Sequence, residues 1–233
     1  MSETIAERLN LLRERIAVAA VAAGRNAADV SLVVVTKNAT VAEVASAARA
    51  GQRDFGENYV AAAEARIAGL ASELSEEMMQ SLSWHMVGQL QSNKAARAAR
   101  RFGLIHSLSS ISAARAISKA MLGASTTARV LLQVRLGGGE QRGGVEAAQV
   151  LSLARAVTEL GGIEIDGLMG VAPLGEQPRP HFARLRALLE DLRGQQLPHA
   201  PLGELSAGMS GDFEDAVAEG STIVRIGRAV FGP

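Results

Sequence analysis

The chain contains no cysteine, so disulfide bonds and thiolate metal sites are excluded. It also lacks an excess of either charge, because 24 basic residues balance 24 acidic ones. A net charge of zero argues against a broad electrostatic surface for nucleic acid or anionic lipid. No HExxH motif or acidic cluster accompanies the four histidines, so no metal site is predicted.

Long hydrophobic runs are missing as well. No run reaches the roughly 18 apolar residues that a membrane span requires. Charged side chains interrupt residues 1–24, which argues against a signal peptide and favours an amphipathic helix. We therefore expect a cytoplasmic protein that does not bind membranes. A monomer is expected, since no large exposed apolar stripe is evident.

Lysine is scarce. Only three of the 24 basic residues are lysines, namely Lys37, Lys94 and Lys119, and the remainder are arginines. Any chemistry that is specific to lysine must use one of these three positions.

Eight apolar, β-branched runs alternate with helical segments, which predicts an α/β fold with a parallel sheet. The predicted strands are 31–37, 53–58, 83–88, 104–109, 128–136, 163–171, 202–207 and 221–227. Eight units favour a single (β/α)8 TIM barrel over residues 1–233, with an extra N-terminal helix packed outside it or across its bottom. An open, doubly wound sheet is the alternative, but no GxGxxG turn follows the first strand.

Active sites of such barrels lie at the carboxyl ends of the strands, and Lys37 ends the first predicted strand. A lysine with its stem among core residues would be desolvated, which lowers its pKa and yields the neutral amine that imine formation needs. The alternative is an ordinary exposed lysine at a strand end. Lys94 and Lys119 fall within helices, where we expect them to be solvated.

Glycine turns follow the last two strands, in residues 206–212 (SAGMSGD) and 225–228 (RIGR). Phosphate sites of barrels commonly lie after strands seven and eight, where backbone amides and helix N-termini are available. These turns, with Arg225 between them, predict phosphate binding. The alternative is two ordinary tight turns, with Asp212 as a helix cap.

The second and third strands carry further polar candidates. Glu57 and Asn58 end the second strand and could order a pocket, although Asn58 could instead cap the next helix. His85, on the third strand, is predicted to be a packed core residue more often than a pocket residue.

Several segments together resemble the pyridoxal phosphate homeostasis proteins (YggS/PROSC-like), which are related to the N-terminal barrel domain of alanine racemase. The resembling segments are 32–37, 51–60 (GQRDFGENYV), 84–94 (WHMVGQLQSNK), 167–169, 205–212 (LSAGMSGD) and 224–232 (VRIGRAVFG). They span nearly the full length of the chain in the expected order.

The resemblance implies a barrel that carries pyridoxal 5'-phosphate (PLP) as a Schiff base on Lys37. It implies that Ser210, Gly227 and the amide of Arg228 hold the phosphate. It also implies that Arg225 faces the pyridine nitrogen and that Asn58 and Met209 lie near the cofactor. We assign no catalytic residue.

The chain departs from the family at a few positions. Arg228 stands where threonine is common, and Arg142, in the loop after the fifth strand, stands where lysine is common. Residues 38–40 (NAT) replace a Thr-Lys-Pro segment that relatives often carry. Because arginine cannot form an imine, any auxiliary role in cofactor handling that relatives give to the lysine at position 142 is absent or altered in this chain.

The resemblance implies a PLP carrier in cofactor homeostasis, without robust catalysis, that serves the apo forms of PLP-dependent enzymes. A weak amino-acid racemase is the alternative, but in alanine racemase the opposing tyrosine comes from a second domain. This chain ends shortly after the eighth strand, and its only tyrosine is Tyr59. A cofactor-free aldolase that forms an imine with its substrate is a third hypothesis.

Overall fold

The predicted barrel is confirmed. The computed structural model describes residues 3–137 and 143–232, and its strands close into a parallel barrel in chain order, with β1 beside both β2 and β8. The strands are β1 (Ser31–Val35), β2 (Asp54–Glu57), β3 (Ser83–Met86), β4 (Leu104–Leu108), β5 (Ala128–Arg135), β6 (Ile163–Val171), β7 (Glu204–Ser206) and β8 (Ile223–Ile226).

Apolar side chains pack on both faces of this sheet, which explains the near-continuous hydrophobic runs. Alternate residues point inward, and a small apolar cluster forms part of the barrel interior; it consists of Val33, Leu104, Leu131, Met169 and Ile223. The larger cluster lies between the strands and the surrounding helices. The hydrophobic effect therefore holds the barrel from inside and outside.

Ten helices are present within the described residues. They are α1 (Ile5–Ala22), α2 (Val41–Arg49), α3 (Val60–Leu70), α4 (Glu76–Gln80), α5 (Ala95–Arg101), α6 (Ile111–Leu122), α7 (Val150–Thr158), α8 (Arg179–Gly194), α9 (Phe213–Ala218) and α10 (Arg228–Phe231). The short helices α4 and α10 were not predicted, because five and four residues carry too little periodicity to be recognised.

The first strand is shorter than predicted. It ends at Val35, and Lys37 lies in a turn. The turn is needed because α2 begins directly afterwards: the Thr40 side chain accepts from the Glu43 amide, and the Glu43 carboxylate accepts from the Thr40 amide. This capping box fixes the start of α2 and leaves residues 36–39 as a short connection.

The N-terminal helix α1 packs outside the barrel, against α2, α9 and α10. Arg8 donates to the Val230 carbonyl at 2.8 Å, and the Arg15 guanidinium lies 4.7 Å from the centre of the Phe213 ring. These contacts tie α1 to the chain segments that flank β8. In the portion of the chain that the structure describes, no helix is both long and apolar enough to cross a bilayer.

Gly167 allows β6 and β7 to approach each other. An added Cβ at this position would lie 1.8 Å from the Glu204 carbonyl oxygen, a backbone atom that cannot rotate away. We expect Gly167→Ala to lower the free energy of unfolding by about 3 kcal/mol, because the strands must separate. Chemical denaturation measures this change. Gly203→Ala is the matched control, since its Cβ would meet nothing within 4 Å; equal effects of the two substitutions would contradict the explanation.

Candidate functional site

The predicted site residues gather at one end of the barrel. They follow β7, β8, β1 and β2, which are consecutive neighbours in the closed sheet. Val35 pairs with Gly56, so β1 and β2 end side by side, and Lys37 and Asn58 each follow two residues later. Gly227, which follows β8, packs closely against the end of β1, because a Cβ at this position would lie 2.8 Å from the Val35 carbonyl oxygen.

Lys37 is exposed, so the expectation that its stem is desolvated among core residues is wrong. The strand ends two residues earlier, and Lys37 lies in the turn that follows it. Lys94 and Lys119 are exposed as well, as expected. Exposure therefore does not distinguish the three lysines; what distinguishes Lys37 is its place at the carboxyl end of a barrel strand.

A buried ion pair holds the turn that carries Lys37. The Arg66 guanidinium donates to the Glu57 carboxylate at 2.5 Å, to the Thr36 carbonyl at 2.9 Å and to the Ala39 carbonyl at 2.7 Å. The Thr36 hydroxyl donates to the same carboxylate at 2.6 Å. Because the two carbonyls bracket Lys37, this clamp fixes the backbone on both sides of the lysine.

The Arg225 side chain lies inside the barrel, 5% exposed. It donates to the Ser206 hydroxyl at 2.5 Å and to the Gly170 carbonyl at 3.1 Å. Burial lowers the pKa of the guanidinium to about 10, an effect that the Asp212 carboxylate partly offsets. The group therefore stays charged at neutral pH without a carboxylate hydrogen-bonded to it among the contacts described.

The turn after β7 is shaped by Gly208, which has a φ of 93°. The Met209 amide donates to the Asp212 carboxylate at 2.6 Å, and α9 begins at the next residue. The side chain of Asp212 therefore closes the turn and makes no cap bond to α9. Met209 is exposed and Ser210 is half-buried, so both side chains are accessible at the barrel end.

The turn after β8 leads into α10, which begins at Arg228. The first bonds of α10 run from the Val230 and Phe231 amides to the Gly227 carbonyl. The amides that precede them lie at a helix start, where no intrahelical acceptor exists. The Arg228 side chain is exposed.

Four side chains extend from Arg225 across the barrel interior. His106 contacts the Ser206 hydroxyl through Nδ1 at 2.8 Å and His85 through Nε2 at 2.9 Å. The other ring nitrogen of His85 lies 3.2 Å from the Asp54 carboxylate. Both histidines are buried. His85 is thus a core residue, as predicted, but it belongs to a polar chain rather than to an apolar cluster.

Sequence reasoning missed Arg66, Ser206 and His106. The alternation of inward and outward side chains along β4 and β7 could have identified His106 and Ser206. Arg66 lies on a helix, where this alternation does not apply. The alternative reading of Asn58 as a helix cap is wrong, since the N-cap of α3 is Tyr59. Arg142 lies outside the described residues. Within residues 3–137 and 143–232, no group of three or more His, Asp or Glu side chains could hold a metal.

The comparisons with known proteins bear on this site. The family described as alanine racemase, N-terminal domain, matches residues 8–233. A protein of Pseudomonas aeruginosa named pyridoxal phosphate homeostasis protein is 40% identical over 232 residues, which cover 98% of this chain and 95% of the relative. The chain belongs to the pyridoxal phosphate homeostasis protein family. The resemblance that the sequence motifs indicated is thus confirmed.

Two further relatives are similar to this chain over nearly its full length. The pyridoxal phosphate homeostasis protein of Escherichia coli K12 is 34% identical over 229 residues, covering 98% of this chain and 96% of the relative. PipY of Synechococcus elongatus, solved with PLP bound, has a TM-score of 0.83 and 35% identity, and the match covers 98% of this chain and 100% of PipY.

The Arg66 clamp leads to a stability prediction. We expect Arg66→Met to lower the free energy of unfolding by about 3 kcal/mol, because the Glu57 carboxylate, whose side chain is 1% exposed, loses its cation. Denaturant unfolding measures the loss. Adding Glu57→Gln to Arg66→Met should restore part of it, since no buried charge then remains unpaired. An effect of Arg66→Met below that of an exposed pair, such as removal of Arg49, would contradict the clamp.

His106 leads to a pH prediction. Burial holds its pKa well below 6.5, and His85 and Arg225 lower it further. The folded state therefore keeps His106 neutral while the unfolded chain takes up a proton. The free energy of unfolding consequently decreases as the pH falls below about 6.5. Relative to His106→Gln, we expect the wild-type unfolding free energy to fall by up to about 1.4 kcal/mol per pH unit on acidification. Parallel curves from denaturant unfolding across this range would contradict the assignment.

Proposed function

We propose that this chain binds PLP and serves PLP homeostasis, with Lys37 as the covalent attachment point. The observation that carries the proposal is the gathering of an amine, a buried guanidinium and two glycine turns at the ends of four neighbouring strands. PipY, a full-length match at 35% identity, was solved with PLP bound.

The residues present fit the cofactor's three functional ends. Lys37 offers the primary amine that condenses with an aldehyde and releases water. Ser210 offers a hydroxyl, and Gly227 and Arg228 offer amides at a helix start, which suit a phosphate. Asn58, which follows β2, and the exposed Met209 lie at the same barrel end and would contact the cofactor beside them.

Arg225 would face the pyridine nitrogen. Bound PLP supplies an electron sink to amine substrates, and a carboxylate at the ring nitrogen strengthens it by favouring protonation. A guanidinium, which remains charged at neutral pH, disfavours that protonation. The ring is then a poorer electron sink, which suits storage of the cofactor better than carbanion chemistry.

The surroundings of Lys37 also favour a carrier. Its side chain is exposed on a clamped turn, so a recipient protein can reach the attachment point. We propose apo forms of PLP-dependent enzymes as recipients, a cytoplasmic location, and a monomeric, single-domain protein over residues 1–233. Two-base racemisation would need a second acid or base opposite the lysine. The only tyrosine, Tyr59, is 71% exposed at the N-cap of α3, which favours the carrier over a weak racemase.

Borohydride trapping tests the attachment point. We expect wild-type protein incubated with PLP and reduced with borohydride to carry one adduct, located on Lys37 by peptide mass mapping. Lys37→Ala should lose the adduct, whereas Lys94→Ala and Lys119→Ala should retain it. Lys119 lies near the end of α6, and Lys94 lies just before α5, in a pocket that Asn58 also lines, so Lys94→Ala is the stricter control. An adduct in Lys37→Ala, or labelling spread evenly over the three lysines, would overturn the assignment.

A transfer assay separates carrier from enzyme. Reduction must be omitted, and loaded protein is mixed with an apo PLP-dependent enzyme whose activity reports cofactor arrival. Recovery of that activity faster than from the same concentration of free PLP, with no turnover of amino acids by the loaded protein alone, supports the carrier. Turnover without transfer would replace it with the racemase alternative.

A further inference from the structure

A single file of polar side chains crosses the inside of the barrel, from the proposed cofactor end to the opposite mouth. It runs from Arg225 on β8 through Ser206 on β7, His106 on β4 and His85 on β3 to Asp54 on β2, with successive separations of 2.5, 2.8, 2.9 and 3.2 Å. The Asp54 side chain is 39% exposed, so the file ends at solvent.

The two ends of the file, together with a neutral His85, give every hydrogen bond in it one direction. Arg225 has donors and no acceptor, so the Ser206 oxygen must accept. An ionised Asp54 has acceptors only, so His85 must donate through Nε2. A neutral His85 then accepts at Nδ1, which requires His106 to donate through Nε2.

His106 is buried completely, and its neutral ring has one donor and one acceptor. With Nε2 donating, Nδ1 accepts the proton of the Ser206 hydroxyl. Ser206 therefore accepts from Arg225 and donates to His106 at once. The reverse arrangement would need a His85 that is protonated on both nitrogens, or one whose unprotonated Nε2 faces the Asp54 carboxylate, which is repulsive.

The groups that face these histidines are few. His85 faces Asp54, His106 and the Ser83 hydroxyl at 3.3 Å. His106 faces His85 and Ser206, and it lies near the charge of Arg225. On the other side of the guanidinium, the Gly170 carbonyl accepts from the second terminal nitrogen at 3.1 Å. Two acceptors on two terminal nitrogens set the plane of the guanidinium.

We propose that His106, acting through Ser206, is a positioning residue for Arg225, and that the file couples this guanidinium to the Asp54 carboxylate at the opposite mouth of the barrel. The inference deepens the proposed function and rests on it for the role of Arg225 at the pyridine nitrogen. The file holds one N–H of Arg225 on Ser206 and presents the rest of the guanidinium to the ring. The Asp54 carboxylate stabilises this direction of the hydrogen bonds without forming a direct ion pair with Arg225.

The tautomers test the file without any cofactor. In ligand-free protein with ¹⁵N-labelled histidine, the imidazole nitrogen shifts should show a proton on Nε2 and none on Nδ1 in both His85 and His106. Asp54→Asn keeps an acceptor but removes the charge, and we expect it to populate the other tautomer of His85. Protonation of His106 at Nδ1 in the wild type would overturn the proposal, whatever the protein binds.

Binding tests the consequence. Ser206→Ala, which interrupts the file with little change in volume, should raise the Kd for PLP roughly tenfold, the loss expected for a hydrogen bond to a charged group. His106→Leu should act similarly and shift the absorbance of the bound cofactor. His106→Gln, which retains a donor and an acceptor, should return the Kd to within about threefold of the wild type.

His181→Leu is the matched control, since His181 is buried on α8 outside the barrel and contacts neither Arg225 nor Ser206. It should leave the absorbance unchanged. A wild type that fails to bind PLP would remove the proposed function and leave the tautomer result standing. PLP bound equally by the wild type, Ser206→Ala and His106→Leu would overturn the positioning role and leave the proposed function intact.

Discussion

A positive charge that is buried inside a closed barrel is the constraint on which the arrangement of the site depends. Arg225 cannot shed its proton at neutral pH and is 5% exposed, so the interior must supply acceptors. They come from the Ser206 hydroxyl and the Gly170 carbonyl. A serine that accepts from an arginine needs somewhere to donate, and His106 provides it. One buried cation thereby explains why polar side chains continue from Arg225 into the barrel interior.

Much of the fold could be predicted because the barrel buries both faces of its strands. The apolar runs marked all eight strands, and the bounds of β6 agree with the predicted segment. The carboxyl ends of parallel strands meet at one end of a barrel, so the positions of Lys37 and Arg225 followed from strand order alone. The same logic explains why the predicted site residues gather at that end although they span nearly the whole chain.

What could not be predicted depends on register and helix phase. His85 and His106 meet because Met86 pairs with Ile105 across β3 and β4, and a shift of one residue would turn His106 out of the barrel. Arg66 reaches the Lys37 turn from α3, so its role depends on how that helix rotates against β2. The sequence left open whether Lys37 is desolvated or exposed, because the apolar pattern runs up to Lys37, whereas β1 ends at Val35.

An exposed lysine on a fixed turn has a different physical character from the desolvated lysine of an enclosed active site. Desolvation would favour the free amine and would also bar a second protein from reaching it. In this chain, order comes instead from the backbone: Arg66 holds the carbonyls on both sides of the turn, and the ion pair that orients Arg66 is itself buried. The clamp thus reduces the conformational entropy of the Lys37 backbone, while the Lys37 side chain stays exposed. The proposed carrier role requires that combination.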